Sequence, residues 1–244
     1  MKRFIADLHI HTCLSPCSEV DMTPRRIIEM AISKGLDIIA ISDHNSAENA
    51  EITVRMAREK GIMALPAMEI TSSEEAHVLA FFGSVEKALA MQEIVYAKLS
   101  KAANDEKLYG YQLIVNEVDE ILEFNKKLLI GATSLPVKEL VDAIHANNGL
   151  AVASHIDKES FSVVSQLGFI PYDIQFDGLE ISYNSDRQKA ESMFSEYTSI
   201  PWITSSDAHQ LGDIGKKSTS FFLNEASFEE IVLAFRGDRR IAWG

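Results

Sequence analysis

Phe4-Ile5-Ala6-Asp7-Leu8-His9-Ile10-His11-Thr12 reads as a short buried strand that ends in two imidazoles. In extended backbone, residues two apart face the same side, so His9 and His11 can meet one ion. Asp7 precedes the pair and a turn rich in serine, proline and cysteine follows it, so ligation explains the pair better than solvated strand-end histidines. The same address recurs along the chain. His44, His155 and His209 each fall within three residues of the end of an apolar run, Glu69 closes another run, and Asp207 precedes His209 by two.

Between these runs the pattern turns helical. Thr23-Pro24 reads as N-cap and first turn of a helix with Ile27, Ile28, Ala31 and Ile32 on one side and Gly35 as its stop. Residues 37–42 are apolar on consecutive positions, as a doubly covered parallel strand should be. Ser46 is expected to cap a helix running to Lys60. Further strands are expected over 62–70, 77–82, 150–155, 178–182 and 202–206. Helices are expected over 85–107, 115–125 and 136–148. Ser227-Phe228-Glu229-Glu230 has the form of a capping box opening a last helix that Gly237 ends.

Strands alternating with helices imply a parallel α/β sheet with right-handed crossovers. An open sheet gathers ligands at one switch point, whereas a barrel brings every strand end to one face. Here nearly every strand end carries a chemical residue, which favours the barrel. The expected organisation is one domain over 1–244, with a mainly helical elaboration at about 85–149.

Of the 244 residues, 46% are hydrophobic, enough for a sizeable core. No apolar stretch approaches the roughly 20 residues needed to span a membrane, and the N-terminus turns acidic too soon for a secretory signal. A soluble cytoplasmic protein is expected. The net charge of −13 argues against a broad face for long nucleic acid. It leaves room for a small phosphorylated substrate, because bound cations reverse the sign of a local site. The two cysteines, Cys13 and Cys17, are too few for a disulfide framework, and their nearness to His9 and His11 leaves a ligand role open.

The mixed carboxylate and imidazole set suits zinc, manganese or iron better than calcium. Glu69 can bridge two cations, which an imidazole cannot. His155 ends an apolar strand, where a partnerless imidazole would be costly, so metal ligation or a core hydrogen bond are its two choices. His77 stands at the start of a strand. Asp43 either forms an Asx turn or orients a ligand from behind. His145 lies inside a helix, away from any strand end, and reads as structural.

His9-Ile10-His11-Thr12, Ser42-Asp43-His44, Glu69, His77, His155 and Ser206-Asp207-Ala208-His209, in this order, resemble the polymerase and histidinol phosphatase (PHP) superfamily. The resemblance runs from residue 6 to about 210. It implies a distorted seven-stranded (β/α)7 TIM-like barrel, two or three divalent ions (zinc, manganese or iron) and hydrolysis of phosphate esters. Carried over by position, His9, His11, Glu69 and Asp207 would hold one ion. Glu69, His77 and His155 would hold a second, and His44 and His209 a third. Many members place an acidic or histidine ligand five or six residues after the second histidine of the first motif, where this chain has Pro16 and Cys17. Cys17 as a thiolate, or Glu19, would complete the third site.

The expected reaction is hydrolysis of a small phosphomonoester or phosphodiester, a nucleotide, short oligonucleotide or phosphorylated metabolite, through a metal-activated water. His44, Asp207 and His209 are the candidate catalytic groups, with His44 or His209 protonating the leaving oxygen. Arg187 and Lys158 are the candidate phosphate-binding cations. One rival is a metal-dependent amidohydrolase, which usually adds a bridging lysine late in the barrel, where Glu69 here fills that role. The other is a non-catalytic metal-stabilised module that binds a partner protein, against which the retention of every main ligand counts.

Overall fold

The computed structural model describes residues 1–243. Seven strands form where the sequence places them: β1 (Lys2–Ile10), β2 (Ile38–Ile41), β3 (Met63–Thr71), β4 (His77–Phe81), then, after a short hairpin of β5 (Leu113–Val115) and β6 (Ile121–Phe124), β7 (Leu150–Ala153), β8 (Gly178–Ile181) and β9 (Trp202–Thr204). Two strands that the sequence did not reveal, β10 (Thr219–Leu223) and β11 (Arg240–Trp243), extend the sheet beyond β1. The order is β11-β10-β1-β2-β3-β4-β7-β8-β9. The sheet curls until its ends nearly meet: the amide of His11 donates to Ala208 O at 3.0 Å, and that of Ala208 to His9 O at 3.2 Å. The result is a nearly closed barrel.

It is not wholly parallel, as the alternation had implied. β4 runs antiparallel to both β3 and β7, pairing Thr71 with His77. A strand that doubles back starts where its predecessor ends. His77, at the beginning of β4, therefore stands on the same barrel face as the ends of the other strands.

The helices are α1 (Pro24–Ser33), α2 (Ala50–Glu59), α3 (Val85–Lys98), α4 (Val137–Ala146), α5 (Val163–Leu167), α6 (Arg187–Met193) and α7 (Phe228–Phe235). The lumen is filled by Ala6, Leu8, Ala40, Leu65, Phe81 and Phe221, with Ile231 and Phe235 of α7 joining them. Gly178 permits that approach, since a Cβ there would lie 2.5 Å from the Phe235 ring. Outside, Ile27 and Ile28 of α1 pack on Ile10, Ile39 and Ile41, and α3 and α4 cover the flank formed by β3, β4 and β7. No helix among the described residues is long and apolar enough to cross a membrane.

Two local expectations fail for physical reasons. The expected helix over 115–125 is the β5–β6 hairpin. Asn116 Oδ1 accepts from the amides of Val118 and Glu120 at 3.1 and 2.9 Å, and Asp119 takes a left-handed φ of 65°. This turn chemistry overrides the three-to-four spacing of Val115, Val118 and Leu122. The 85–149 elaboration is thus two helices flanking a hairpin and long loops, and α3 ends at Lys98 rather than near 107. Ser46 does not cap α2, which starts at Ala50; its hydroxyl meets Gln92 Oε1 at 3.1 Å and Tyr96 Oη at 2.8 Å.

The capping box at α7 is half made. Ser227 accepts from the Glu230 amide, but the Glu230 carboxylate turns to Arg239 Nη2 and Nε, both at 2.8 Å, and to the Asn224 amide at 2.8 Å. The Arg239 bonds, helped by Asn224, hold its carboxyl down at about 2 rather than 4.5. Stability from this interaction is present above about 4.5, where the unfolded carboxylate is also ionised, and is lost as pH falls through about 2. Glu230→Gln is therefore expected to lower the urea midpoint at pH 7, and the gap from wild type should close between these two pH values. A gap independent of pH would show that packing, not ionisation, is responsible.

Candidate metal centre

The centre begins with a bulge. Asp7 pairs with Ile39 and Ile10 with Ile41, so two residues of β1, Leu8 and His9, oppose the single Ala40 of β2. Ile10 packs outward with Ile39 and Ile41, whereas Leu8 faces the lumen. Strict alternation from Leu8 would send His9 and His11 outward. The extra residue re-aims both into the mouth of the barrel.

Hydrogen bonding behind each ring sets its tautomer. His9 Nδ1 donates to Glu180 Oε2 and Oε1 at 3.0 and 3.2 Å. Ser15 Oγ donates to Asp43 Oδ1 at 2.7 Å and accepts from the His44 amide at 3.1 Å, so at 3.0 Å it accepts from His11 Nδ1. In the neutral rings both Nε2 atoms then carry the lone pairs, and they lie 3.1 Å apart. Carboxylates close the same point. Glu69 Oε1 is 3.4 Å from His9 Nε2 and Oε2 is 3.5 Å from His11 Nε2, while Asp207 Oδ1 lies 3.3 and 3.4 Å from the two. Two imidazole nitrogens and two carboxylates converging on one point are a donor set that a divalent cation fits.

The carboxylates draw positive charge to this point. Burial works against a charge on His9, but Glu180, Asp207 and Glu69 overcome it and raise its pKa well above the usual histidine value. Burial, with His209 close by, pushes His11 down to about 3. Burial and His11 hold His44 well below its usual value too. Glu69 and Asp207 pay for burial with desolvation, yet stay far below the ordinary carboxylate range, Glu69 through His77 and His9, Asp207 through His9 and His11.

Glu69 Oε1 also meets His77 Nδ1 at 3.0 Å and His155 Nε2 at 3.2 Å. His44 Nδ1 is 3.2 Å from Oε2 but out of line for a hydrogen bond, and His155 Nδ1 also lacks a partner. Two residues here hold left-handed backbone, His155 at φ 28° and Asp207 at φ 51°, as residues forced into place at functional sites often do. Three groups have ligand atoms within 4.8 Å of one another: His9 with His11 and Glu69, His44 with Glu69 and His77, and His11 with His44 and His209. Relative to the expected sets, His44 stands with Glu69 and His77 where His155 was expected, and His11 joins the group of His44 and His209.

Cys17 belongs to none of these groups. It lies on the rim of the cleft, where the crowded walls and the Glu69 carboxylate push its thiol up to about 12. The Glu19 side chain is exposed, and only its amide reaches in, donating to His209 O at 2.9 Å. Lys158 enters the cleft and pairs with Asp207 Oδ2. Arg187 does not enter. It opens α6, pairs with Glu191 one turn on at 2.7 Å and lies over the Trp243 ring, because the Asp186 cap directs the first turn outward. His145 pairs with Asp177 at 2.9 Å near the start of β7, at the other end of the barrel. The large groove there, about 920 Å³, holds none of the three groups, whereas the cleft over the histidines is about 250 Å³.

Behind the ligands, sequence reasoning offered Asp43 but missed Glu180, Ser15 and the role of Asp7. Glu180 nears the end of β8 as Glu69 does that of β3, so the same address could have found it. Asp7 accepts from the amides of Ser206 and Gly215, tying β1 to the loops that carry Asp207 and His209. Burial raises Asp7 and Asp43 each to about 6.

The sequence profile of the PHP domain matches residues 7–200, and that of a PHP-associated region matches 184–239. The chain belongs to the PHP family. The uncharacterized Bacillus subtilis (strain 168) protein YqxK is 25% identical over 99% of this chain and 64% of its own length. Among solved structures, the lesion-specific endonuclease PfuEndoQ from Pyrococcus furiosus superposes with a TM-score of 0.75 at 20% identity, over 98% of this chain and 58% of that one. A Bifidobacterium adolescentis protein proposed to be a metal-dependent phosphoesterase gives 0.62 at 22% identity, over 85% and 88%. These structural likenesses establish the fold, and the chain spans less than two thirds of YqxK and of PfuEndoQ.

The relay at Ser15 is testable without a ligand. Ser15→Ala leaves Asp43, His11 Nδ1 and the His44 amide short of a partner in a dry interior, and is expected to cost about 1–3 kcal/mol in urea denaturation. A denaturation midpoint equal to wild type would contradict the relay.

Proposed function

We propose that this PHP-family chain is a metal-dependent phosphoesterase acting on a small phosphomonoester or phosphodiester, with residues 1–244 working as one unit. The observation that carries the reading is the meeting of the His9 and His11 lone pairs with the Glu69 and Asp207 carboxylates at one point. His9, His11, Glu69 and Asp207 would hold one ion, Glu69 with His77 and His155 a second, and His44 with His209 a third. Zinc, manganese or iron suits these mixed nitrogen and oxygen donors. Such ions supply a nucleophile at neutral pH and offset charge on the phosphoryl group.

The protein's own groups do the rest. Lys158, now paired with Asp207, is placed to turn its ammonium to a phosphoryl oxygen and stabilise the charge that builds there. His209 is the more exposed imidazole of the cleft, its Nδ1 donating to Asp207 O at 2.9 Å, and it or the buried His44, in place of holding the third ion, would deliver a proton to the leaving oxygen. Glu180 and the Ser15–Asp43 pair keep His9 and His11 in the tautomer that presents Nε2. A cleft of about 250 Å³ in a protein of net charge −13 favours a nucleotide, short oligonucleotide or phosphorylated metabolite over long nucleic acid. The fold shared with an endonuclease keeps nucleotide-like esters foremost.

Protein stripped of metal and reloaded with manganese or zinc is expected to hydrolyse p-nitrophenyl phosphate or its bis ester. His9→Ala should lose bound metal and turnover together. Failure of every metal to restore turnover, with metal content unchanged in His9→Ala, would sink the reading. Glu180→Gln, which removes a charge behind His9 but no ligand, should lower metal affinity or activity about 10–100-fold. Wild-type affinity and rate in that variant would show that the Glu180 bond does not tune the centre.

A further inference from the structure

Phe161 is out of place by every local rule. A bulky residue with positive φ is a true outlier, yet Phe161 sits at φ 57°. It is also 45% exposed, in a segment where a burial site for an aromatic ring would be expected if packing were its purpose. Outliers of this kind persist where the surroundings over-determine them, and they gather at ligand-binding positions.

The surroundings do over-determine it. The Phe161 carbonyl accepts from the His77 amide at 2.8 Å, fastening it to the start of β4. On one side Ser162 caps α5 and donates from Oγ to Lys158 O at 2.8 Å. On the other the Lys158 amide donates to His155 O at 2.9 Å and that of Ile156 to Glu180 O at 2.9 Å. The ring lies flat on His77, with centroids 4.9 Å apart and planes 17° from parallel. His77 in turn touches Glu69 at 3.0 Å, so Phe161 stands one imidazole away from the candidate metal centre. Its exposed surface lines the same cleft as Lys158, and Ile130 adds an apolar wall there.

We propose that the Phe161 ring is a stacking subsite for a planar aromatic group carried by the phosphate ester. The proposal rests on the phosphoesterase reading and adds the class of ester. With the phosphoryl group at the histidine cluster and beside Lys158, a flat group bonded close to the ester oxygen continues the stack that His77 and Phe161 begin. An aliphatic group of similar polarity gains nothing comparable there.

The test uses two ligands that cannot be hydrolysed and share a head group, phenylphosphonate and methylphosphonate, titrated calorimetrically into manganese-loaded full-length protein. Wild type is expected to bind the phenyl compound about 10-fold more tightly, the scale of one aromatic stacking contact. Phe161→Leu, which keeps apolar bulk, should abolish that preference, and Phe161→Tyr should restore it. Phe161→Gly suits the left-handed backbone and removes the ring, so it guards against a folding defect in the leucine variant. A wild type with no phenyl preference, or a preference that survives in both the leucine and glycine variants, overturns the proposal. So does a parallel loss for both ligands, which would mean the ring only props His77. Turnover of p-nitrophenyl phosphate by wild type is scored separately: phenyl preference without turnover under any metal would uphold the subsite and sink the phosphoesterase reading.

Discussion

The Glu69 carboxylate lies 3.0–3.5 Å from nitrogens of five imidazoles, those of His9, His11, His44, His77 and His155. A carboxylate this deeply buried would ordinarily take up a proton, because an unpaired charge is costly away from water. Here the surrounding rings keep it ionised. Apart from His9 and His11, which share the end of β1, each ring comes from a different strand or turn, His77 from the start of the reversed β4 and the others from strand ends or the turns after them. The strand ends must therefore meet on one face, and the curl of the sheet, the bulge in β1 and the reversal of β4 all serve that meeting.

Much of this was legible in the sequence because buried strands and helix caps write themselves in local patterns. All seven expected barrel strands form, and α1 opens at Thr23-Pro24 as read. What local pattern cannot carry is strand direction and register. Nothing in residues 77–81 says that β4 runs backwards, and nothing in residues 7–10 announces the bulge, which exists only relative to β2. The hairpin over 113–124 was lost for another reason: Asn116 supplies the turn, but the spacing of Val115, Val118 and Leu122 mimics a helix. The strands β10 and β11 follow the last motif, where no site residue draws attention to them.

The candidate centre divides along the same line. Histidines and carboxylates at strand ends were found because address and residue type coincide. Lys158 was found because it follows His155 closely and the turn folds back. Arg187 was misplaced because proximity in sequence to a strand end does not fix which way the next helix faces. Glu180 stood at the strand-end address but its partner His9 is 171 residues away, and Ser15 escaped because a turn hydroxyl is not itself a metal-ligand type. Phe161 escaped because its significance lies in a backbone angle.

The closure of the barrel has a consequence for the order of assembly. Asp7 is held by the amides of Ser206 and Gly215, 199 and 208 residues away. Contacts of such separation form late, since the loop they close must be drawn in before they repay its entropy. Likewise β1 lacks its antiparallel partner until β10, far along the chain, is in place. The His9–His11 pair therefore meets Asp207 only once these long-range contacts form. An ion bound to both would act as a clasp between β1 and the turn after β9, holding the native state by mass action. Metal supply would then govern how much folded protein accumulates, quite apart from how fast each molecule turns over.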